Sequence, residues 1–403
     1  MRRKNKGRKI YKTKEKNYYG KTPLGKAISV GLTVLLIGGI GFIGYSVAEP
    51  VFKYTKKKGD APEPPPTAAS SELLEPTSSA PKIQPGDPSA ETGTIAQPDY
   101  KAAVIKTSDL TDKAALKAAI ERIPSGQKVE YVEIPLKTQG GKIWYTSSVY
   151  YATQSGAIQN YINLSDIIDT VKAAGYHPAA LISTFNDNIL PKTDGSAGFK
   201  TADAGDQWID NTPEAGGKPW TSPYSSTAVN YIGDIVTEAA EAGFEKIICA
   251  DISYPPFRPS DLALLPPELK EPSRFQALTS AANLFYDRAV RANSTMAVEV
   301  SATDILKDNA DVIREPLYLN VKSIILSIDV DTLSAGVYTD STVYDFNGTA
   351  AEKVEKVLGL VKDKLKDYTN VAVRISGSTV GTDELLKAKE VAYGQGYTSF
   401  VIG

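Results

Sequence analysis

Six carboxylates stand at or just past the ends of short apolar runs: Glu133, Asp187, Asp251, Glu299, and the pair Asp329 and Asp331. One arginine, Arg374, has a comparable position. Carboxylates gathered without nucleophilic or metal-binding partners do acid/base work. Cleavage of a glycosidic bond needs such a pair, one acid to protonate the leaving oxygen and one carboxylate to attack or to activate water. Other chemistries lack their residues. The single histidine, His177, lies in the turn Gly175-Tyr176-His177-Pro178 and reads as a solvated loop residue, a poor centre for a Ser-His-Asp triad. The single cysteine, Cys249, rules out an internal disulfide and a cysteine-cluster metal site. Asp329-x-Asp331 has a spacing that suits a cation, but the neighbouring sequence supplies none of the further oxygen ligands that Ca²⁺ needs. The expectation is therefore no metal and no cofactor.

Within this set, Asp251 and Glu299 end neighbouring strands and are the expected nucleophile and general acid, with Asp329 or Asp331 stabilising charge. Glu133 and Arg374 are expected to bind substrate. Side chains alternate along a strand, so Asp251 would face inward together with Ile247 and Cys249, and Glu299 with Ala297 and Ser301. Neighbouring strands would bring the carboxyls to the roughly 5 Å separation of a retaining pair; an inverting pair sits about 6.5–9.5 Å apart.

These residues need a frame, and past Asp99 the sequence supplies one. Short apolar runs alternate with amphipathic stretches, giving strands at 101–107, 129–136, 178–185, 245–252, 295–301, 323–330, 370–376 and 399–402. Helices are expected around Leu116–Ile123 and over 164–174, 228–242, 273–292, 350–365 and 383–394. Eight parallel-type strands with intervening helices close naturally as an α/β fold, a (β/α)₈ TIM barrel over residues 100–403. An open doubly wound sheet is the alternative, disfavoured because no glycine-rich phosphate turn follows the first strand. With no such turn, no nucleotide cofactor is expected. No helix follows the eighth strand before Gly403, so either that helix is missing or the segment before the first strand covers its place.

A long insertion, 186–224, carries Trp208, Asp210, Trp220, Pro223 and Tyr224, with two of the three tryptophans of the chain. Indole faces on a loop beside a barrel mouth suit a sugar platform, so these residues are expected to bind substrate; the alternative is a loop that packs on its own small apolar core.

The N-terminal quarter differs in kind. Residues 27–48 run without a charge, long enough to span a hydrocarbon core of about 30 Å. Before them, residues 1–26 carry eleven Lys/Arg against Glu15, which predicts a cytoplasmic tail, a single-pass transmembrane helix and an extracytoplasmic barrel. A cleaved signal peptide ending at Ser46-Val47-Ala48 is the alternative. Gly39-x-Gly41-x-x-Gly44 spells a dinucleotide fingerprint without the strand it requires and is read as lipid-facing glycine. Residues 49–99 are rich in Pro, Ser, Thr and Glu and read as an extended, disordered stalk. The whole chain is −2 and the tail +10, so the remainder is −12, which argues against a nucleic-acid partner.

Three segments carry a resemblance to a known family. Val132-Glu133-Ile134-Pro135-Leu136-Lys137 with Gly141-Lys142-Ile143-Trp144-Tyr145, then Trp208-Ile209-Asp210 with Pro219-Trp220-Thr221-Ser222-Pro223-Tyr224, then Gly243-Phe244-Glu245-Lys246-Ile247 ending in Tyr254-Pro255 resemble the glycoside-hydrolase-like TIM-barrel domains of bacterial membrane-anchored surface proteins. The resemblance implies a barrel that acts on a cell-surface polysaccharide or cell-wall glycan. The family's fourth strand typically reads Phe-Asp-Tyr-Val-Arg-Phe-Pro; aligned on Pro255, its Asp falls on Ala250, its Tyr on Asp251 and its Arg on Ser253. Asp251 inherits the catalytic role only if a bulge restores register. The arginine typical of the third strand is Leu181 here. A divergent hydrolase, a glycan-binding barrel without hydrolysis and an envelope scaffold all remain compatible with these residues.

Overall fold

The computed structural model describes residues 99–402 except 125, 127, 308–310, 314–318 and 340–341. The expected cytoplasmic tail (1–26), transmembrane helix (27–48) and nearly all of the stalk (49–99) lie outside the described residues. Among the described residues no helix is long and apolar enough to cross a membrane.

Eight parallel strands close into a barrel. They are β1 (Lys101–Val104), β2 (Tyr131–Thr138), β3 (His177–Ser183), β4 (Lys246–Ala250), β5 (Thr295–Ser301), β6 (Ser323–Asp329), β7 (Asn370–Ser376) and β8 (Ser399–Ile402). Each pairs in parallel with its neighbours in sequence, and β8 pairs with β1 to complete the ring. Around it lie α1 (Lys113–Glu121), α2 (Leu164–Ala173), α3 (Ser226–Ala242), α4 (Phe275–Arg291), the short α5 (Ala302–Lys307), α6 (Ala350–Val361) and α7 (Thr382–Gly394). The chain thus forms the expected (β/α)₈ TIM barrel. Local signals set the element ends: Ser225 caps α3 and Gly243, at φ +111°, closes it in the left-handed conformation, while Thr349 and Glu352 form a reciprocal cap on α6.

Period-2 alternation divides the strand residues between two cores. Outward-facing Val132, Ile134, Leu136, Ile247, Cys249, Val298, Ile324 and Leu326 pack beneath the helices. The interior is lined by Tyr100, Ala102, Ala179, Ile248, Ala297, Ile325, Ala372 and Val401. Four alanines among these leave room at the barrel centre for larger polar groups. Outside the barrel, between α1 and α7, an apolar groove of about 360 Å³ is floored by β1 and β8, including Phe400 and Ile402. It marks the place an eighth helix would occupy. The segment expected to cover it from before β1 lies outside the described residues.

Candidate functional site

The C-terminal ends of β2 to β7 surround a cavity of about 450 Å³. Its polar lining comes from Lys137 and Gln139 at the end of β2, Ser183 on β3, Asp251 and Ser253 after β4, Glu299 and Ser301 on β5, Asp304 on α5, Ser327 on β6 and Arg374 on β7. This is the face of a (β/α)₈ barrel on which chemistry is assembled.

Asp251 reaches the cavity by a route that strand alternation does not supply. Ile247 and Cys249 point outward into the helix-packed core, and Ile248 points inward, so the expected phase with Ile247 and Cys249 is corrected. A continued strand would turn residue 251 toward the helices. Instead β4 stops at Ala250, and Asp251 adopts φ +55°, a left-handed conformation that costs a non-glycine residue about 1–3 kcal/mol. Two bonds hold it there: Ser183 Oγ donates to Oδ2 at 2.5 Å and Gln139 Nε2 donates to Oδ1 at 2.9 Å. With both oxygens accepting, the carboxylate is oriented into the mouth.

Glu299 shares the inward phase of Ala297, as alternation predicts. Burial pushes its carboxyl above the ordinary range; the Arg374 guanidinium opposes this, while Glu133 and Asp251 reinforce it. Arg374 Nη2 lies 3.1 Å from Glu299 Oε2 and donates to Glu133 Oε2 at 2.7 Å. Burial works against the charge on Arg374, but the two carboxylates outweigh it and hold the guanidinium protonated. Asp304, which sequence reasoning missed, is also raised, chiefly by burial and partly by Asp311, with Lys307 opposing.

Glu133, expected to bind substrate, does not line the cavity. It is fully buried below it, where Tyr100 Oη donates to its Oε1 at 2.8 Å. Asp329 and Asp331 are not at the mouth either. Asp329 accepts from the backbone of Asp331 and Thr332 as a helix cap, and Asp331 accepts from Ser378 and Thr379. Those bonds hold Asp331 down at about 2. Neither carboxylate lines the cavity where charge stabilisation was expected of it. Among the described residues no group of three His, Cys, Asp or Glu side chains converges as a metal site.

The insertion is rooted in the barrel by a buried ion pair, Lys137 Nζ to Asp187 Oδ2 at 3.0 Å. Asp187 also accepts from the backbone N–H of Ile189 and Leu190, starting the insertion's first turn. Gly141, at φ +93°, passes so close that a Cβ would lie 2.2 Å from Asp187 Oδ1, which explains why glycine stands in that turn. The aromatic residues of the insertion divide. Trp208 is buried edge-on against Phe199 and Phe257, at ring distances of 6.0 and 5.1 Å, so the expected platform is corrected here to a small local core. Trp220 is half-buried and donates from Nε1 to Asp210 Oδ2 at 2.8 Å, so Asp210 orients an indole. Tyr224 is exposed, its ring 6.4 Å from that of Tyr254. None of the four lines the cavity.

Of the expected site residues, Asp251, Glu299 and Arg374 are therefore brought together. Gln139 and Ser183 were findable as polar residues at strand C-termini. Asp304 carried no signal, because no helix was expected between the fifth and sixth strands. His177 lies at the N-terminal start of β3, its Nδ1 2.7 Å from Glu245 Oε2, at the barrel end opposite the mouth.

No curated protein matches the chain in sequence. Among solved structures, the glycoside hydrolase domain of PgaB (BpsB) from Bordetella bronchiseptica is similar at 13% identity and a TM-score of 0.53, covering 76% of this chain and 94% of that one. An α-galactosidase from Thermus thermophilus in complex with stachyose is similar at 12% identity and a TM-score of 0.47, covering 76% and 61%. A hypothetical protein from Ruminiclostridium thermocellum is similar at 17% identity and a TM-score of 0.40, covering 49% and 96%. Residues 103–377, well over half of the chain, match the model of the family described as "Putative glycosyl hydrolase domain", and the chain belongs to that family.

Proposed function

We propose that the protein hydrolyses a glycosidic bond of a cell-surface polysaccharide at the mouth of its barrel, with Asp251 as the attacking or water-activating carboxylate and Glu299 as the acid. The observation that carries this reading is the pair of carboxylates in one cavity with opposite environments. Asp251 accepts a hydrogen bond on each oxygen, whereas Glu299 is desolvated and raised by burial above the ordinary carboxylate range. A desolvated acid beside a hydrogen-bonded carboxylate suits the roles of proton donor and attacking group. Arg374 and the insertion residues Trp220 and Tyr224 would serve substrate binding. Residues 27–48 would anchor the chain in the cell membrane and 49–99 would carry the barrel away from its outer face.

Incubation of the purified protein with cell-wall fragments and α- and β-glucans, assayed for new reducing ends, tests the activity; cleavage abolished by Asp251→Asn is expected. Protease added to intact, wall-stripped cells should remove the barrel. Its survival while the basic tail is digested would reverse the proposed topology.

A second reading, a barrel that binds a glycan without cleaving it, is favoured by Ala250, Ser253 and Leu181, which stand where the family carries Asp, Arg and Arg. Leu181 lines the mouth and offers no charge to a substrate. Glycan binding without new reducing ends would select this reading.

A further inference from the structure

From the floor of the mouth a buried polar chain runs down to Tyr100 and Glu133, neither of which lines the cavity. Tyr100, just before β1, donates to Glu133 on β2; Glu133 accepts from Arg374 on β7; and Arg374 reaches Glu299 on β5. Glu133 has both oxygens engaged and no exposure. Lys246 lies over the ring of Tyr100, with Nζ 5.0 Å from its centre. Burial draws Lys246 down to about 8, with Glu133 opposing. The groups facing Glu299 are Arg374, Glu133, Asp251 and the Ser327 hydroxyl.

We propose that Glu133 is a positioning residue for Glu299: it holds one guanidinium between two carboxylates, so that Glu299 meets a charge already balanced and keeps a proton for a leaving oxygen. An arginine facing Glu299 alone would do the opposite. An unshared guanidinium at this range lowers a carboxyl by about one to three pH units, against the upward push of burial on Glu299. The buried carboxylate prevents that. The bond from Tyr100 occupies one oxygen of Glu133 and leaves the other for Arg374. The use of the proton rests on the hydrolase reading; its retention by Glu299 is a property of the barrel interior and is measurable without any substrate.

Infrared pH titration of the full chain in detergent tests this, with the difference between wild type and Glu299→Gln isolating the Glu299 carboxyl. The protonated band should persist above the ordinary glutamate value of about 4.3. In a Glu133→Gln background the same titration should move down by about one to two pH units. A Glu133 that only braced the barrel would lower the melting temperature of that variant and leave the Glu299 titration in place, overturning the proposal. Titration of Glu299 at or below the ordinary value in the wild type would overturn it as well, and that measurement stands even where Glu133→Gln fails to fold. If Glu299 titrates high and moves down in Glu133→Gln but no glycan is cleaved, the hydrolase reading falls and the positioning role survives. If cleavage is seen and Glu133→Gln does not shift the alkaline limb of its pH profile, the reverse holds.

Discussion

The mouth of the barrel and the insertion that overhangs its third strand treat their polar and aromatic residues in opposite ways. At the mouth, side chains are held against their own preferences: Asp251 is left-handed and Glu299 is desolvated beside other carboxylates. In the insertion they are at rest. Trp208 is sunk among Phe199, Tyr254 and Phe257, and Trp220 has found Asp210 for its N–H. Strain and unfavourable burial persist only where surrounding structure imposes them, and they gather at sites of chemistry. By that criterion the mouth is where the proposed reaction belongs. The insertion is mainly architecture, fastened by the Lys137–Asp187 pair.

Substitutions can break this contrast. The largest effect is expected from Asp251→Asn, which should lower hydrolysis by about a thousandfold or more while leaving the melting temperature close to that of wild type. Strong residual cleavage would move the chemistry elsewhere. Trp208→Ala should instead cost about 3–5 kcal/mol of stability in denaturant unfolding. If it lost glycan affinity with no loss of stability, the insertion would be a platform after all.

Smaller effects sharpen the comparison at its rim. Tyr224→Ala should weaken glycan binding by about 0.5–1.5 kcal/mol in calorimetry, the scale of one aromatic contact. Asp331→Asn should leave hydrolysis unchanged and slightly destabilise the protein at neutral pH. Because the folded-state value of Asp331 is depressed to about 2, its contribution is present above the ordinary aspartate value of about 3.9 and lost as pH falls toward 2. The melting curves of variant and wild type should therefore converge in acid. Glu299 has the opposite sign. Its raised carboxyl opposes folding as pH rises above the ordinary glutamate range, so Glu299→Gln should gain stability relative to wild type with rising pH.

The barrel itself was legible in the chain, because apolar alternation and helix caps are local. All eight strands fall where alternation puts them, with ends shifted by a few residues, as at β4, which is Lys246–Ala250 against the expected 245–252. The inward phase of Glu299 follows from the same alternation. Also sequence-borne are the uncharged apolar run at 27–48 and the acidic remainder, since length, apolarity and charge are properties of composition. Tertiary structure alone decided where side chains at the strand ends point. Asp251 enters the mouth because Ser183 and Gln139, 68 and 112 residues away in the chain, hold its carboxylate against the conformation a strand would impose. Glu133 is drawn beneath the mouth by Arg374, 241 residues distant, and Trp208 is claimed by a core that forms only once the insertion folds on itself. A period of two can state which face a residue starts from. Which partners reach it there depends on ring closure of the barrel, and no local pattern encodes that.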